Sequence, residues 1–156
     1  MKAVVQRVTF SNVKVDGITI GEIEKGFMIL LGVAEGDSKE EADFLAKKIA
    51  NMRIFEDENG KMNLSILQTE GACLVISQFT LCADCKKGNR PSFIGAAKPD
   101  EAEGLYEYFM DKLRENGINK IEKGSFGADM KVTLLNDGPV TIILDTDVIK
   151  PKGEAK

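Results

Sequence analysis

A Gly-Pro pair, Gly138-Pro139, stands between two stretches that otherwise read as strand, Met130–Leu135 and Val140–Leu144. Proline cannot donate a ladder hydrogen bond and is confined to strand edges, strand starts and bulges. Within Asn136-Asp137-Gly138-Pro139-Val140-Thr141 the pair is therefore expected to break the pairing and present bare backbone to something outside the ladder. Backbone displayed in this way can contact a ligand without reading its side chain. The cis form of an X-Pro bond costs only about 0.5–1 kcal/mol, so the sequence permits both carbonyls to face one way without requiring it.

The flanking pattern is α+β. Lys2–Phe10 alternates about Ala3, Val5 and Arg7, and Val13–Val15 leads through Asp16-Gly17 into Ile18–Ile23, a hairpin signal. Phe27–Val33 is an apolar run short enough for a strand buried on both faces. Ser38-Lys39-Glu40-Glu41 has capping-box spacing, and Ala42, Leu45, Ala46 and Ile49 form the stripe of a first helix ending near Asn51. Its Lys47-Lys48 pair reads as a solvated face beside Glu40, Glu41 and Asp43 rather than as an RNA contact. Arg53-Ile54-Phe55 reads as a short strand before a Glu56–Gly60 turn, and Ala72–Ser77 as a strand continuing into Phe79–Cys82. Pro99 opens a second helix with Ala102, Leu105, Tyr106, Phe109 and Leu113 at helical spacing and Gly117 as its stop. Ile118–Glu122, Met130–Leu135 and Val140–Leu144 complete the sheet. The expected architecture is mainly antiparallel β-sheet, barrel-like or sandwich, covered by two longer helices. A single domain over 1–147 is followed by a polar tail over 148–156, frayed from Lys150.

Composition narrows the chemistry. With 43% hydrophobic residues in 156 and no Pro/Gly/Ser-rich linker, one core is expected. No run approaches the ~20 apolar residues of a membrane span and the N-terminus has no apolar leader, so a cytoplasmic protein without membrane partners is expected. Three cysteines, Cys73, Cys82 and Cys85, cannot all pair within one chain and are expected to be reduced. Cys82-Ala83-Asp84-Cys85 has C-x-x-C spacing, yet a zinc site wants four ligands and the chain has no histidine, so neither metal nor cofactor is expected. The missing imidazole also removes Ser-His-Asp and Cys-His activation. A net charge of −4 argues against a broad nucleic-acid surface and against DNA, leaving room for a small contact with one end of an RNA.

Three segments carry candidate chemistry. Ser77-Gln78-Phe79-Thr80-Leu81 follows a buried strand directly, which marks either a strand end whose hydroxyls satisfy local backbone or a site. Lys86-Lys87-Gly88-Asn89-Arg90-Pro91-Ser92-Phe93 is the most basic stretch and reads as a loop, solvated or touching phosphate. Ser125–Met130 sets Phe126 and Met130 beside glycine, suited to stacking a base and equally to filling a core edge.

Taken together and in order, these segments resemble the bacterial-type D-aminoacyl-tRNA deacylases, formerly D-tyrosyl-tRNA deacylases. The resemblance rests on Met1–Val8, Arg53-Ile54-Phe55 with Gly60–Asn63, Ser77–Leu81, Gly88–Phe93, Phe126–Met130 and Asn136–Thr141, and reaches about Asp147. It implies a homodimeric hydrolase that cleaves the ester between a D-amino acid and the terminal adenosine of tRNA. Catalysis would fall to Ser77, Gln78, Phe79 and Thr80, with the backbone N–H groups of Phe79 and Thr80 as oxyanion donors and Thr80 in support. Gly138 and Pro139, in a cis peptide from the opposite subunit, would reject L-aminoacyl esters by steric exclusion and so leave glycyl-tRNA a substrate. The tRNA end would meet Phe126 and Met130 at the adenine, with Lys86 and Arg90 toward phosphate and Arg7 either bracing the Gly-Pro turn or pairing with phosphate. Two alternatives stand beside this: editing of L-seryl-tRNA on the same architecture, and a tRNA-end binding module without turnover.

Overall fold

The computed structural model describes residues 1–152. Its organising strand is β1 (Lys2–Val15), 14 residues long. The Asp16-Gly17 turn, with φ of 50° and 79°, returns the chain as β2 (Ile18–Ile23). Positive φ at both central residues matches the right-handed twist of the two strands, which is why Asp-Gly works there. β3 (Gly26–Gly32) follows, pairing antiparallel with the first half of β1 from Lys2↔Gly32 to Val8↔Gly26, while β2 pairs with the second half. The other edge of β1 is taken by β8 (Lys131–Asp145). β6 (Ala72–Ser77) runs parallel to β3, and β7 (Ile121–Lys123) parallel to β6. The sheet is thus mainly antiparallel with two parallel pairings. It curls until β2 lies against β6 and β7: a Cβ on Gly21 would stand 2.7 Å from the Lys123 carbonyl oxygen, so only glycine allows that approach.

The pleat explains the continuous apolar run in β3. Phe27, Ile29 and Leu31 face one layer, where they meet Leu45, Ala46 and Ile49 of α1 (Lys39–Asn51) and Tyr106, Phe109 and Leu113 of α3 (Pro99–Glu115). Met28 and Leu30 face the barrel interior with Val8, Val13, Leu74 and Ile76. The Ser38 hydroxyl accepts from the Glu40 N–H at 3.3 Å, and Glu41 Oε2 accepts from the Ser38 N–H at 2.7 Å, completing the expected capping box of α1. Burial pushes the Glu41 carboxyl up, but the hydrogen bonds from Ser38 and Lys150 outweigh it and hold the group down at about 2. The Tyr106 hydroxyl donates to the Val75 carbonyl at 2.7 Å and pins α3 to β6.

Several boundaries differ from the sequence reading. Phe79–Cys82 is a 3-10 turn, because β3 ends at Gly32 and the chain beyond Ser77 has no further ladder partner. Gly32 makes room for that turn, since a Cβ there would stand 3.0 Å from both the Gln78 oxygen and the Leu81 Cβ. The strand expected at Arg53–Phe55 is β4 (Phe55–Glu56), paired with β5 (Met62–Leu64). β7 starts at Ile121 because Ile118, whose N–H donates to the Leu113 carbonyl, packs into the core as part of the α3 stop. Two short helices were not anticipated. α2 (Ile66–Thr69) is capped by Ser65 and Gln68, and α4 (Thr146–Ile149) takes in 148 and 149 of the expected tail. Residues 153–156 of that tail lie outside the described residues.

Met130–Leu135 and Val140–Leu144 belong to one strand, β8, but the ladder is broken at the expected place. Pairing with β1 stops at Gln6↔Thr141 and resumes at Val8↔Asn136, so residues 137–140 stand opposite Arg7 alone.

Candidate active site

Where β6 ends, a cavity of about 650 Å3 opens between three walls. The first is Ser77-Gln78-Phe79, delivered by the close of the β3–β6 ladder at Leu31↔Ser77. Gln78, at φ −142° and ψ 79°, turns the chain into the 3-10 turn, and its Nε2 donates to the Thr80 hydroxyl. The N–H groups of Phe79 and Thr80 open that turn, and as at any helix start they have no acceptor within it. The second wall is Phe126 to Met130, between β7 and β8. Phe126 rests against Tyr106 with ring centroids 6.0 Å apart, while Met130 packs over Gly124, where a Cβ would lie only 2.5 Å from its sulfur. The third wall, Ala96-Ala97-Lys98-Pro99 with Ala102, is the entry to α3. Phe93 meets Phe79 edge-on at 5.1 Å and closes one side.

The cavity is mostly apolar, with a few convergent polar groups and backbone amides at one end, the usual make-up of a small-ligand site. Its ionisable lining groups are Lys98 and Asp129. Burial pushes the thiols of Cys73 and Cys82 up, which disfavours the thiolate at neutral pH, and the Cys82 thiol faces the Val33 carbonyl at 3.6 Å. Among the described residues no three of Cys, Asp or Glu converge as metal ligands.

The sequence-derived candidates separate into three places. Ser77, Gln78, Phe79, Phe126 and Met130 line the cavity, and Thr80 is attached to it through Gln78. Lys86 and Arg90 do not line it; they are exposed on a loop closed by paired Asp84 and Ser92 backbone hydrogen bonds of 2.7 and 2.9 Å. Gly138 and Pro139 are also outside this chain's cavity, both exposed and joined by a cis peptide bond. Arg7 is beneath them and only 4% exposed. Its Nε donates to the Asp137 carbonyl at 3.1 Å and its Nη1 to the Ile54 carbonyl at 2.7 Å, with the Asp137 carboxylate 3.5 Å away. Of the two readings of Arg7, the geometry supports the brace. Gly138 has φ +124°, and a Cβ there would meet Arg7 Nη2 at 3.0 Å and Val140 Cγ2 at 2.9 Å, so the turn requires glycine. The α3 wall has no signal in the sequence beyond Pro99 as a helix start.

The chain from 4 to 145 matches the family described as D-Tyr-tRNA(Tyr) deacylase. It is 59% identical over 153 residues to a D-aminoacyl-tRNA deacylase of Geotalea uraniireducens (strain Rf4), covering 98% of each chain. It is 57% identical to a D-aminoacyl-tRNA deacylase of Geobacter sulfurreducens (strain ATCC 51573 / DSM 12127 / PCA), covering 94% of this chain and 95% of that one. Among solved structures, it is similar to a "c-Myc DNA Unwinding Element Binding Protein", with TM-score 0.88, 44% identity and coverage of 93% of this chain and 98% of that one. A probable eukaryotic D-amino acid tRNA deacylase shares the fold at TM-score 0.77 and 15% identity, covering 92% of this chain and 97% of that one. No helix among the described residues is long and apolar enough to cross a membrane.

Proposed function

The chain belongs to the D-aminoacyl-tRNA deacylase family of hydrolases, and from that premise we propose that each cavity is completed by the Gly138-Pro139 turn of a second copy. The observation that carries this reading is the separation of the two halves. A polar turn with free amides lines an apolar cavity, while an exposed backbone-only turn, braced by a buried arginine, lies outside its own chain's cavity. Two-fold pairing brings such halves together, because each subunit gives and receives the same element. β8, which carries the turn, pairs only with β1 among the described residues and exposes Leu135 and Ile143 at 57% and 74%, an edge suited to burial against another copy.

In this assembly the terminal adenine lies between Phe126 and Met130, and the ester lies at Ser77–Thr80. Water adds to the ester carbonyl, the oxyanion is held by the N–H groups of Phe79 and Thr80, and collapse releases the free D-amino acid and the ribose hydroxyl of the tRNA. Each donor of this kind is worth about a hundred- to a thousandfold in rate. Thr80 is held by Gln78 as a supporting group, and the ribose 2′-OH of the substrate helps to place the water. Carbonyls of the partner's Gly138 and the partner's Pro139 receive the α-amino group of a D residue and leave no room for the L arrangement. Discrimination is thus exclusion around the α-carbon, independent of the side chain, and glycyl-tRNA passes. The substrate places the enzyme in the cytoplasm.

Incubation with matched D- and L-aminoacyl-tRNA and with glycyl-tRNA tests this directly. The D and glycyl esters are expected to be lost and the L ester retained. Loss of L-seryl ester, or retention of all three, refutes the reading.

A further inference from the structure

A second groove, of about 620 Å3, lies beside the last turns of α1 and the segment leaving it, walled by Phe44, Lys47, Lys48, Asn51, Met52 and Arg53. Three of these six residues are cationic and none is a carboxylate, in a chain whose net charge is −4. The acids that make Lys47-Lys48 look like helix decoration in the sequence are engaged elsewhere. Glu40 and Glu41 take the Lys150 ammonium at 3.1 and 3.2 Å, and Asp43 accepts from the Tyr108 hydroxyl at 2.7 Å. Among the described residues, Lys47, Lys48 and Arg53 form no ion pair. Lys48 Nζ lies over the Phe44 ring, 5.6 Å from its centroid.

The groove is tied to the Gly138-Pro139 turn. Arg53 precedes Ile54, whose carbonyl accepts from Arg7 Nη1 at 2.7 Å, while Arg7 Nε holds the Asp137 carbonyl at 3.1 Å. One buried guanidinium therefore links the end of the groove to the residue preceding Gly138. Resting on the reading that this turn enters the partner's cavity, the groove flanks the mouth of that cavity. We propose that it is a phosphate-backbone site for the acceptor stem of the tRNA whose 3′ end occupies the partner's cavity. Two lysines on consecutive helix positions and an arginine beyond the helix end suit several spaced phosphates better than one compact anion. Such contacts position a nucleic acid without reading its sequence. A local patch of this kind also lets an acidic chain hold a polyanion.

Binding of uncharged tRNA to the intact protein tests the site without any hydrolysis, so its outcome is separate from that of the ester assay. The comparison is between wild type and Lys47→Gln/Lys48→Gln/Arg53→Gln from 50 to 200 mM salt, with Arg114→Gln/Lys120→Gln as the control at the end of the sheet where β6 begins. If all three cations meet phosphate, the salt slope falls by about 2.7, and the affinity ratio of wild type to variant shrinks about 40-fold across that range. The double variant Lys47→Gln/Lys48→Gln, at exposed helix positions, carries the same test with a slope change of about 1.8 should Arg53→Gln impair folding. The trinucleotide CCA, which is too short to leave the cavity, is expected to bind wild type and variant alike. Unchanged slopes for tRNA, a control that loses as much as the variant, or an equal loss for CCA would overturn the proposal.

Discussion

Arg7 is the most informative residue to change, because two segments distant in sequence are held by one side chain. Its guanidinium donates to the Asp137 and Ile54 carbonyls at 3.1 and 2.7 Å while only 4% exposed. Hydrogen bonds to a charged group contribute about 1.5–3 kcal/mol each, so Arg7→Met, which keeps much of the volume, is expected to cost about 3–6 kcal/mol. The nearby Asp137 carboxylate adds little to that figure, being 3.5 Å away and 44% exposed. Arg7→Lys keeps the charge, but one ammonium replaces a fork that reaches two carbonyls, so it is expected to lose one bond, about 1.5–3 kcal/mol. Urea denaturation gives both values. The functional arm is the ratio of D- to L-ester hydrolysis, which should fall in the order wild type, Arg7→Lys, Arg7→Met as the turn loosens. A loss below about 0.5 kcal/mol for Arg7→Met, or full stability loss with unchanged selectivity in the folded fraction, would refute the role of brace.

The Glu41 carboxyl, at about 2 when folded against an ordinary 4.5, contributes stability that is fully present above pH 4.5 and is lost as pH falls toward 2. After discounting for solvent screening, Glu41→Gln is expected to cost about 1–2 kcal/mol at pH 7 and nothing near pH 2, as read from denaturation midpoints across that range. Phe126→Ala removes the proposed adenine platform; base stacking worth about 1–3 kcal/mol predicts KM for D-aminoacyl-tRNA raised about 5- to 160-fold, with a smaller change in kcat. Phe79→Pro removes one proposed oxyanion donor at the first position of the 3-10 turn, where proline is tolerated, and is expected to lower kcat by about a hundred- to a thousandfold. Phe79→Ala, which keeps the N–H, separates that loss from the loss of the ring contact with Phe93.

How much of this is legible in the sequence depends on the range of the forces involved. The Ser38–Glu41 capping box, the Asp16-Gly17 turn and the Gly117 stop are local, and each reads directly from residue types. Ser65–Gln68 carries the same kind of capping box, at the start of a helix only four residues long. Phe79–Cys82 misleads because its apolar side chains resemble strand, whereas its conformation depends on where β3 runs out, at Gly32. Ile118 misleads in the same way, since it is apolar to close a helix end. At the site, Ser77–Thr80, Phe126 and Met130 emerge from motif order, but the α3 wall around Lys98 depends on packing that no short motif records. Lys47 and Lys48 are exposed, as the sequence suggests, but the engagement of the neighbouring acids by Lys150 and Tyr108 rests on partners remote in sequence.

The claim that one catalytic site is shared between two chains is tested most directly by mixing two defective proteins. Phe79→Pro lacks a donor but carries an intact Gly-Pro turn; Gly138→Ala keeps the donors but strains the turn, and alone should have lost D-over-L discrimination. After subunit exchange at equal amounts, half of the dimers hold one fully wild-type site, so selective D-ester hydrolysis should return to about a quarter of the wild-type level. A mixture whose D and L rates remain the simple sum of the two parents, with exchange demonstrated, would contradict the account.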